Sequence, residues 1–420
     1  MRFATVEIRA QHSHTMTLLQ STIQLERVDL RPRLVPRKEV MNGVKHVETG
    51  RGHGRPVAAV YNDRSIMSYF RAAVDSLRAY KPGEQPSPDD DVIKLNTNEN
   101  PYPPSPRAMA TLRDIDHEQL RRYPDPYANE FRASAADVLG IDPDWILVGN
   151  GSDDILTMLV RSVADTARAV AYPVPTYALY RTLAQIQAAP VVEVDFGDTY
   201  DLPVDALVEA SAALTLVASP NSPSGNRIPN DVMSDLAGRL DGLLVIDEAY
   251  VDFATGNALD LVRRHDNVLV LRTLSKGHAL AGLRLGFTVA SPVLLAGLVK
   301  VKDSYNVDAI SARVGAVAIR DVDHCREVTA RVCASRQRLA VALAELGFRI
   351  WPSEANFLLV RPVDGRAKAT YEELKAHGIL VRYFDAPGLD DKLRITVGTD
   401  TQNGRLVTVL AKQLSRAQHP

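Results

Sequence analysis

Seven short runs between residues 145 and 290 are almost wholly apolar and often β-branched: WILVGN, RAVAYP, VVEVDF, LTLVASP, LLVIDEAY, VLVLRT and LGFTVAS. A strand with one wet face alternates apolar and polar residues. Near-continuous apolar runs of this length therefore mark strands covered on both faces, as in a mostly parallel sheet. Helix-period segments such as DDILTMLVRSVA and DVMSDLAGRL separate several of them. Buried strands alternating with helices define the fold class as α/β, a mostly parallel central sheet sandwiched by helices.

Beyond residue 306 the texture changes. A long amphipathic stretch over 308–346 leads into FRIWPSEANFLLVRP, the helical AKATYEELKAHG, ILVRYF, LRITVG and a final helical TQNGRLVTVLAKQLSRA. These predict a smaller C-terminal α+β domain. Upstream, MSYFRAAVDSLRAY has helical spacing that places Tyr69, Phe70, Val74 and Leu77 on one face, and KPGEQPSPDDD reads as a linker. Residues 1–66 carry 11 Lys and Arg against 6 Asp and Glu without a sustained period. They lack the apolar core of a secretory signal, and Glu7, Glu26 and Asp29 argue against an organelle transit peptide. The expectation is a flexible extension ahead of a functional start at Met67.

With 45% hydrophobic residues and a formal net charge of −2, the 420-residue chain has the balance of a globular protein and no general pull toward nucleic acid or membrane. No apolar run approaches the roughly 20 residues that cross a bilayer. Cys325 and Cys333, eight residues apart, are too sparse for a disulfide scaffold or a metal site and read as buried thiols in a reducing, cytoplasmic setting.

Open α/β sheets bind ligands beyond the carboxyl ends of their strands. The polar residues that fall there are Gly149 to Asp153, Tyr177, Asn221 with Ser222, Asp247 with Tyr250, and Ser275 with Lys276. In VGNGSDDILTML a strand, a glycine turn and a helix start follow one another, with Ser152 or Asp153 as N-cap; free N–H groups make such a place either a capped structural helix or a phosphate site. Asp247 ends a strongly apolar strand, where a carboxylate needs a cation or hydrogen bonds. It reads as an N-cap or salt-bridge residue, or as the partner of a protonated heteroaromatic nitrogen. A lysine desolvated at a strand end can form an imine with an aldehyde. An aldehyde cofactor bearing a phosphate and a pyridinium nitrogen needs a lysine, an aspartate and an N–H nest with an arginine. Lys276, Asp247, and Gly151-Ser152-Asp153 with Arg284 are that set.

Ordered over some 320 residues, LRAYKPG, KLNTNENPYPPSP, RYPDP, GNGSDD, PVPTYALY, SPNSPSG, VIDEAYVDF, RTLSKGHALAGLRLGF, PSEANFLLVRP, GILVR and LRITVGT make the chain resemble the histidinol-phosphate aminotransferases, fold type I enzymes dependent on pyridoxal 5′-phosphate. The resemblance implies that Lys276 holds the cofactor as an imine and shuttles a proton. Asp247 would keep the ring nitrogen protonated, Tyr177 would stack on the ring, and Tyr250 would bond its phenolic oxygen. Gly151, Ser152, Asp153, Ser275 and Arg284 would hold the phosphate, with Tyr123 reaching it from a partner subunit of a homodimer. Arg394, helped by Arg382 and Tyr80, would bind the anionic end of each substrate, since a guanidinium fork pairs with phosphate or carboxylate.

The chain then divides into the extension (residues 1–66), an N-terminal helix and arm (67–106), a large cofactor-binding domain (107–305) and a small C-terminal domain (306–420). The implied reaction interconverts histidinol phosphate plus 2-oxoglutarate with imidazole-acetol phosphate plus glutamate, in histidine biosynthesis and with no metal. An aromatic, phenylalanine-type aminotransferase and a phosphothreonine decarboxylase of the same fold are the alternatives. In SPNSPSG either Asn221 or Ser222 takes the bond to the phenolic oxygen. His278 replaces the usual aromatic or aliphatic residue and is expected to be a solvated loop side chain, or else a contact behind the site.

Overall fold

A computed structural model describes residues 68–77, 83–87 and 91–418. The expected flexible extension, residues 1–66, and Tyr80 lie outside the described residues.

All seven apolar runs form strands of one sheet. They are β1 (Ile146–Gly149), β2 (Val170–Val174), β3 (Val191–Asp195), β4 (Leu214–Ala218), β5 (Leu243–Asp247), β6 (Val268–Thr273) and β7 (Gly286–Val289). The order across the sheet is β1-β7-β6-β5-β4-β2-β3. Six strands run one way, and β7 alone runs against both of its neighbours. The reason for the unbroken apolar runs is visible in the packing. Along β6, Val268 and Val270 enter the core on one face while Leu269 and Leu271 enter the core on the other. In β5, Leu244 and Ile246 likewise oppose Val245. The period of two is intact, but both faces are dry.

Helix α1 (Ser152–Val163) covers the second face with Ile155, Leu156 and Leu159, and α2 (Leu179–Ile186) lies against the same core. The C-terminal part folds as four antiparallel strands, β8 (Arg349–Ile350), β9 (Phe357–Arg361), β10 (Arg382–Tyr383) and β11 (Leu393–Thr396), in the order β10-β11-β9-β8. They share an apolar core with the final helix, Asp400–Gln418, through Leu406 and Leu410.

The amphipathic 308–346 stretch folds as two helices, α3 (Ala309–Arg320) and α4 (Val322–Glu345), which meet at Asp321, whose carboxylate accepts a hydrogen bond from Ser105. Two expectations need correction. The N-terminal helix spans only Ala72–Asp75, and Tyr69 is 97% exposed, so the predicted apolar face is not buried within the chain. Cys325 and Cys333 are free but half-buried rather than buried. Among the described residues no helix is long and apolar enough to cross a membrane.

Shortening a side chain between sheet and helix should test this packing. Leu269→Ala is expected to lower unfolding stability by about 2–5 kcal/mol, and Val293→Ala, at a position 83% exposed, by less than about 0.5 kcal/mol. Denaturant midpoints of the two variants read the difference.

Candidate active site

The loops leaving the carboxyl ends of β1, β2, β4, β5 and β6 enclose a cavity of about 530 Å³. Asp153, Tyr177, Ser222, Asp247 and Lys276 line it from the large sheet, and Arg394 lines it from the small one.

Asp247 is the last residue of β5 and 6% exposed. Its Oδ2 accepts a hydrogen bond from the Tyr180 hydroxyl at 2.8 Å, and its Oδ1 accepts one from the Ala249 N–H at 3.1 Å. Burial pushes the carboxyl up to about 6 against these two bonds, with the negative charges of Asp153 and Glu248 adding to the rise. Tyr180 is fully buried; burial and the adjacent carboxylate push its phenol well above the usual range, so it remains a donor.

Lys276 follows β6 on a half-buried turn. Its Nζ lies 3.3 Å from the Thr97 carbonyl and 5.6 Å from the centre of the Tyr250 ring. Asn100 fixes the turn by donating to the carbonyls of Lys276 and Gly277, both at 3.1 Å. The Tyr250 hydroxyl accepts from Asn98 Nδ2 at 2.9 Å. Asn98 is itself pinned by Thr396 of β11, through the backbone N–H and Oδ1 at 3.0 Å each, and by Asn356, which donates to its carbonyl at 3.0 Å. This chain of hydrogen bonds ties the lysine and tyrosine of the large sheet to the small one.

The start of α1 departs from expectation. Gly151, at φ +80°, occupies the cap position, and no side chain caps the helix, so Ser152 and Asp153 are its first helical residues rather than its caps. Asp153 is turned instead toward the Tyr177 hydroxyl at 3.2 Å and the Arg284 guanidinium at 3.3 Å. The small residues matter here: a Cβ on Gly151 would stand 2.7 Å from Arg284 Nη2, and one on Gly286 would stand 2.6 Å from the Gly151 carbonyl carbon. An uncapped helix start with an arginine beside it is an anion site. Buried Ser275 accepts a hydrogen bond from Thr273 at 3.0 Å at the same rim.

Arg394 of β11 donates to the Ser222 hydroxyl at 2.9 Å and to the Asn96 carbonyl at 3.0 Å, both neutral acceptors. Its guanidinium lies 5.4 Å and 5.7 Å from the rings of Phe357 and Phe384. Arg382 stands directly opposite it across the β10–β11 pair and also lines the cavity.

Two further expectations change. Asn221 is fully buried outside the cavity lining, accepting from Thr176 and donating to the Pro175 carbonyl and Ser224, so the cavity keeps only Ser222 of that pair. His278 is half-buried rather than solvated, and burial holds it below the usual histidine range. Tyr123 is not in the cavity. It is 81% exposed and stacked 4.5 Å from Tyr305. The sequence reading missed Tyr180, Asn98 and Asn100. Tyr180 has a visible signal, a second tyrosine one helical turn after Tyr177; the asparagines lie in the quoted NTNEN but bond partners that are distant in the chain.

The family profile described as "Aminotransferase class I and II" matches residues 90–410. A "Histidinol-phosphate aminotransferase 1" of Trichormus variabilis is 57% identical over 345 residues, covering 82% of this chain and 99% of that protein. A histidinol-phosphate aminotransferase of Rhodopirellula baltica is 45% identical over 335 residues, covering 79% of this chain and 92% of that one. The crystal structure of the Sinorhizobium meliloti histidinol-phosphate aminotransferase, solved with pyridoxal 5′-phosphate, superposes with a TM-score of 0.77 at 26% identity, covering 84% of this chain and 99% of that one.

The pH dependence of stability should carry the signature of Asp247. Its folded pKa of about 6 lies above the ordinary 3.8, so ionising it weakens the fold progressively from about pH 4 to pH 6. In protein stripped of small molecules, Asp247→Asn should therefore gain stability relative to wild type, on the order of 3 kcal/mol, between pH 4 and pH 7. Denaturant titrations across that range check the sign.

Proposed function

Since the chain belongs to the class I and II aminotransferases, and within them to the histidinol-phosphate aminotransferases, we propose that it interconverts imidazole-acetol phosphate plus glutamate with histidinol phosphate plus 2-oxoglutarate, the formation of histidinol phosphate being the direction of histidine biosynthesis. The observation that carries the reading is the meeting, in one cavity, of Lys276, Asp247, an uncapped helix start beside Arg284, and Arg394.

The cavity fits pyridoxal 5′-phosphate, which when bound supplies an aldehyde for amines and a ring that draws electron density from the substrate Cα. Asp247, whose own hydrogen bonds come from neutral donors, would hold the ring nitrogen and favour its protonated form. The helix start and Arg284 receive the phosphate. The Arg284–Asp153 pair is half-exposed and worth about 0–1 kcal/mol, so an arriving dianion readily redirects the guanidinium. Lys276 Nζ would hold the cofactor's aldehyde carbon and would serve as the base that takes and returns the substrate Cα proton. Tyr250, fixed by Asn98, would donate to the phenolic oxygen, and Tyr177 would cover the ring.

Arg394 selects the substrate. Histidinol phosphate presents a phosphate where glutamate presents its α-carboxylate, and one guanidinium fork can pair with either anion. Arg382 also lines this end; the family resemblance alone would add Tyr80, which lies outside the described residues. The working unit is a homodimer: Tyr123, stacked and exposed on one chain, reaches the phosphate of the other. A cytoplasmic location agrees with the two free thiols.

Added alone to the holoenzyme, histidinol phosphate should bleach the cofactor's visible absorbance within one turnover, and 2-oxoglutarate should restore it. Fast bleaching by phenylalanine alone, or carbon dioxide from phosphothreonine, would overturn the assignment. Arg394→Gln should raise KM for both histidinol phosphate and glutamate by about 10- to 100-fold, the worth of a charged hydrogen bond; an effect on one substrate only would contradict the shared role.

A further inference from the structure

A second cavity, of about 370 Å³, opens beside the Lys276 turn and shares Thr273 with the first. Its wall holds three groups the reaction does not use. Asp252 sits in the short turn Val251–Phe253, His278 follows Lys276 by two residues, and Cys325 lies on α4. One donor atom from each falls within 4.8 Å of the other two. Spacing along the chain hides the set, because its members come from three separate segments.

The donors are a carboxylate, an imidazole and a thiol. That mixture suits a borderline-soft ion such as Zn²⁺ and is wrong for calcium or magnesium, which take oxygen. Three protein ligands with one side open to a cavity leave a fourth tetrahedral position for water or a small ligand. Asp252 packs against the backbone of Gly277, where a Cβ would stand 2.5 Å from the carboxylate carbon. Any larger residue after the lysine would push Asp252 out of the group.

We propose that Asp252, His278 and Cys325 bind one Zn²⁺ per chain. Binding forms three bonds to the ion and releases the Cys325 proton to solvent, leaving a thiolate on the metal. The ion then ties the turn after Tyr250, the loop after Lys276 and α4 to one point, and so stiffens two elements of the substrate cavity from behind.

Chelator-treated, dialysed holoenzyme, equilibrated with zinc and freed of excess by gel filtration, should retain one zinc per chain by elemental mass spectrometry. Competition with a chromophoric chelator should show Cys325→Ser and His278→Ala weakened by at least about tenfold, with Cys333→Ser unchanged. Cobalt should give tetrahedral bands in the visible, beyond the cofactor's absorbance, that vanish in Cys325→Ser. Failure of folded wild-type holoenzyme to retain zinc, or retention unaffected by Cys325→Ser, overturns the proposal.

Discussion

Asp247 ends a strand whose preceding residues, Leu244, Val245 and Ile246, are wholly buried, and its own carboxylate reaches the cavity nearly dry. An ion so placed costs several kcal/mol unless it is matched by partners. Tyr180 and the Ala249 N–H supply two hydrogen bonds, yet the group still titrates at about 6. The remaining deficit is a standing demand for positive charge at one point of the cavity. A protonated ring nitrogen would meet that demand, and the other polar groups of the cavity are placed to receive the rest of such a ligand. The uncapped helix and Arg284 lie on one side, Lys276 stands near the Tyr250 ring, and Arg394 enters from the small sheet.

The arrangement depends on joining two sheets that fold from distant parts of the chain. Asn98 does this directly: its side chain holds the Tyr250 hydroxyl, while its backbone and carboxamide are fixed by Thr396 and Asn356. Asn96, two residues earlier, accepts from Arg394. Movement of the small sheet would therefore be felt both at Arg394 and at Tyr250.

Much of this is legible in the sequence because it is local. Each of the seven apolar runs carries its own strand, and Asp247 and Lys276 are conspicuous as polar residues ending apolar segments. What was misread depends on contacts made elsewhere. Ser152 and Asp153 look like caps, but Gly151 takes the cap position and Asp153 turns to Arg284 and Tyr177. Asn221 looks like a ligand residue until Thr176, Pro175 and Ser224 occupy its amide. His278 appears solvated only while Ala318, Asp252 and Cys325 are unknown as neighbours.

The central claim is that Lys276 is the residue that holds the cofactor opposite Asp247. Borohydride reduction of the holoenzyme, followed by proteolysis and peptide mass mapping, tests it most directly. The account predicts the reduced cofactor on the peptide carrying Lys276, at one per chain. Its appearance on Lys94, Lys302 or any other lysine, with Lys276 unmodified, would contradict the account.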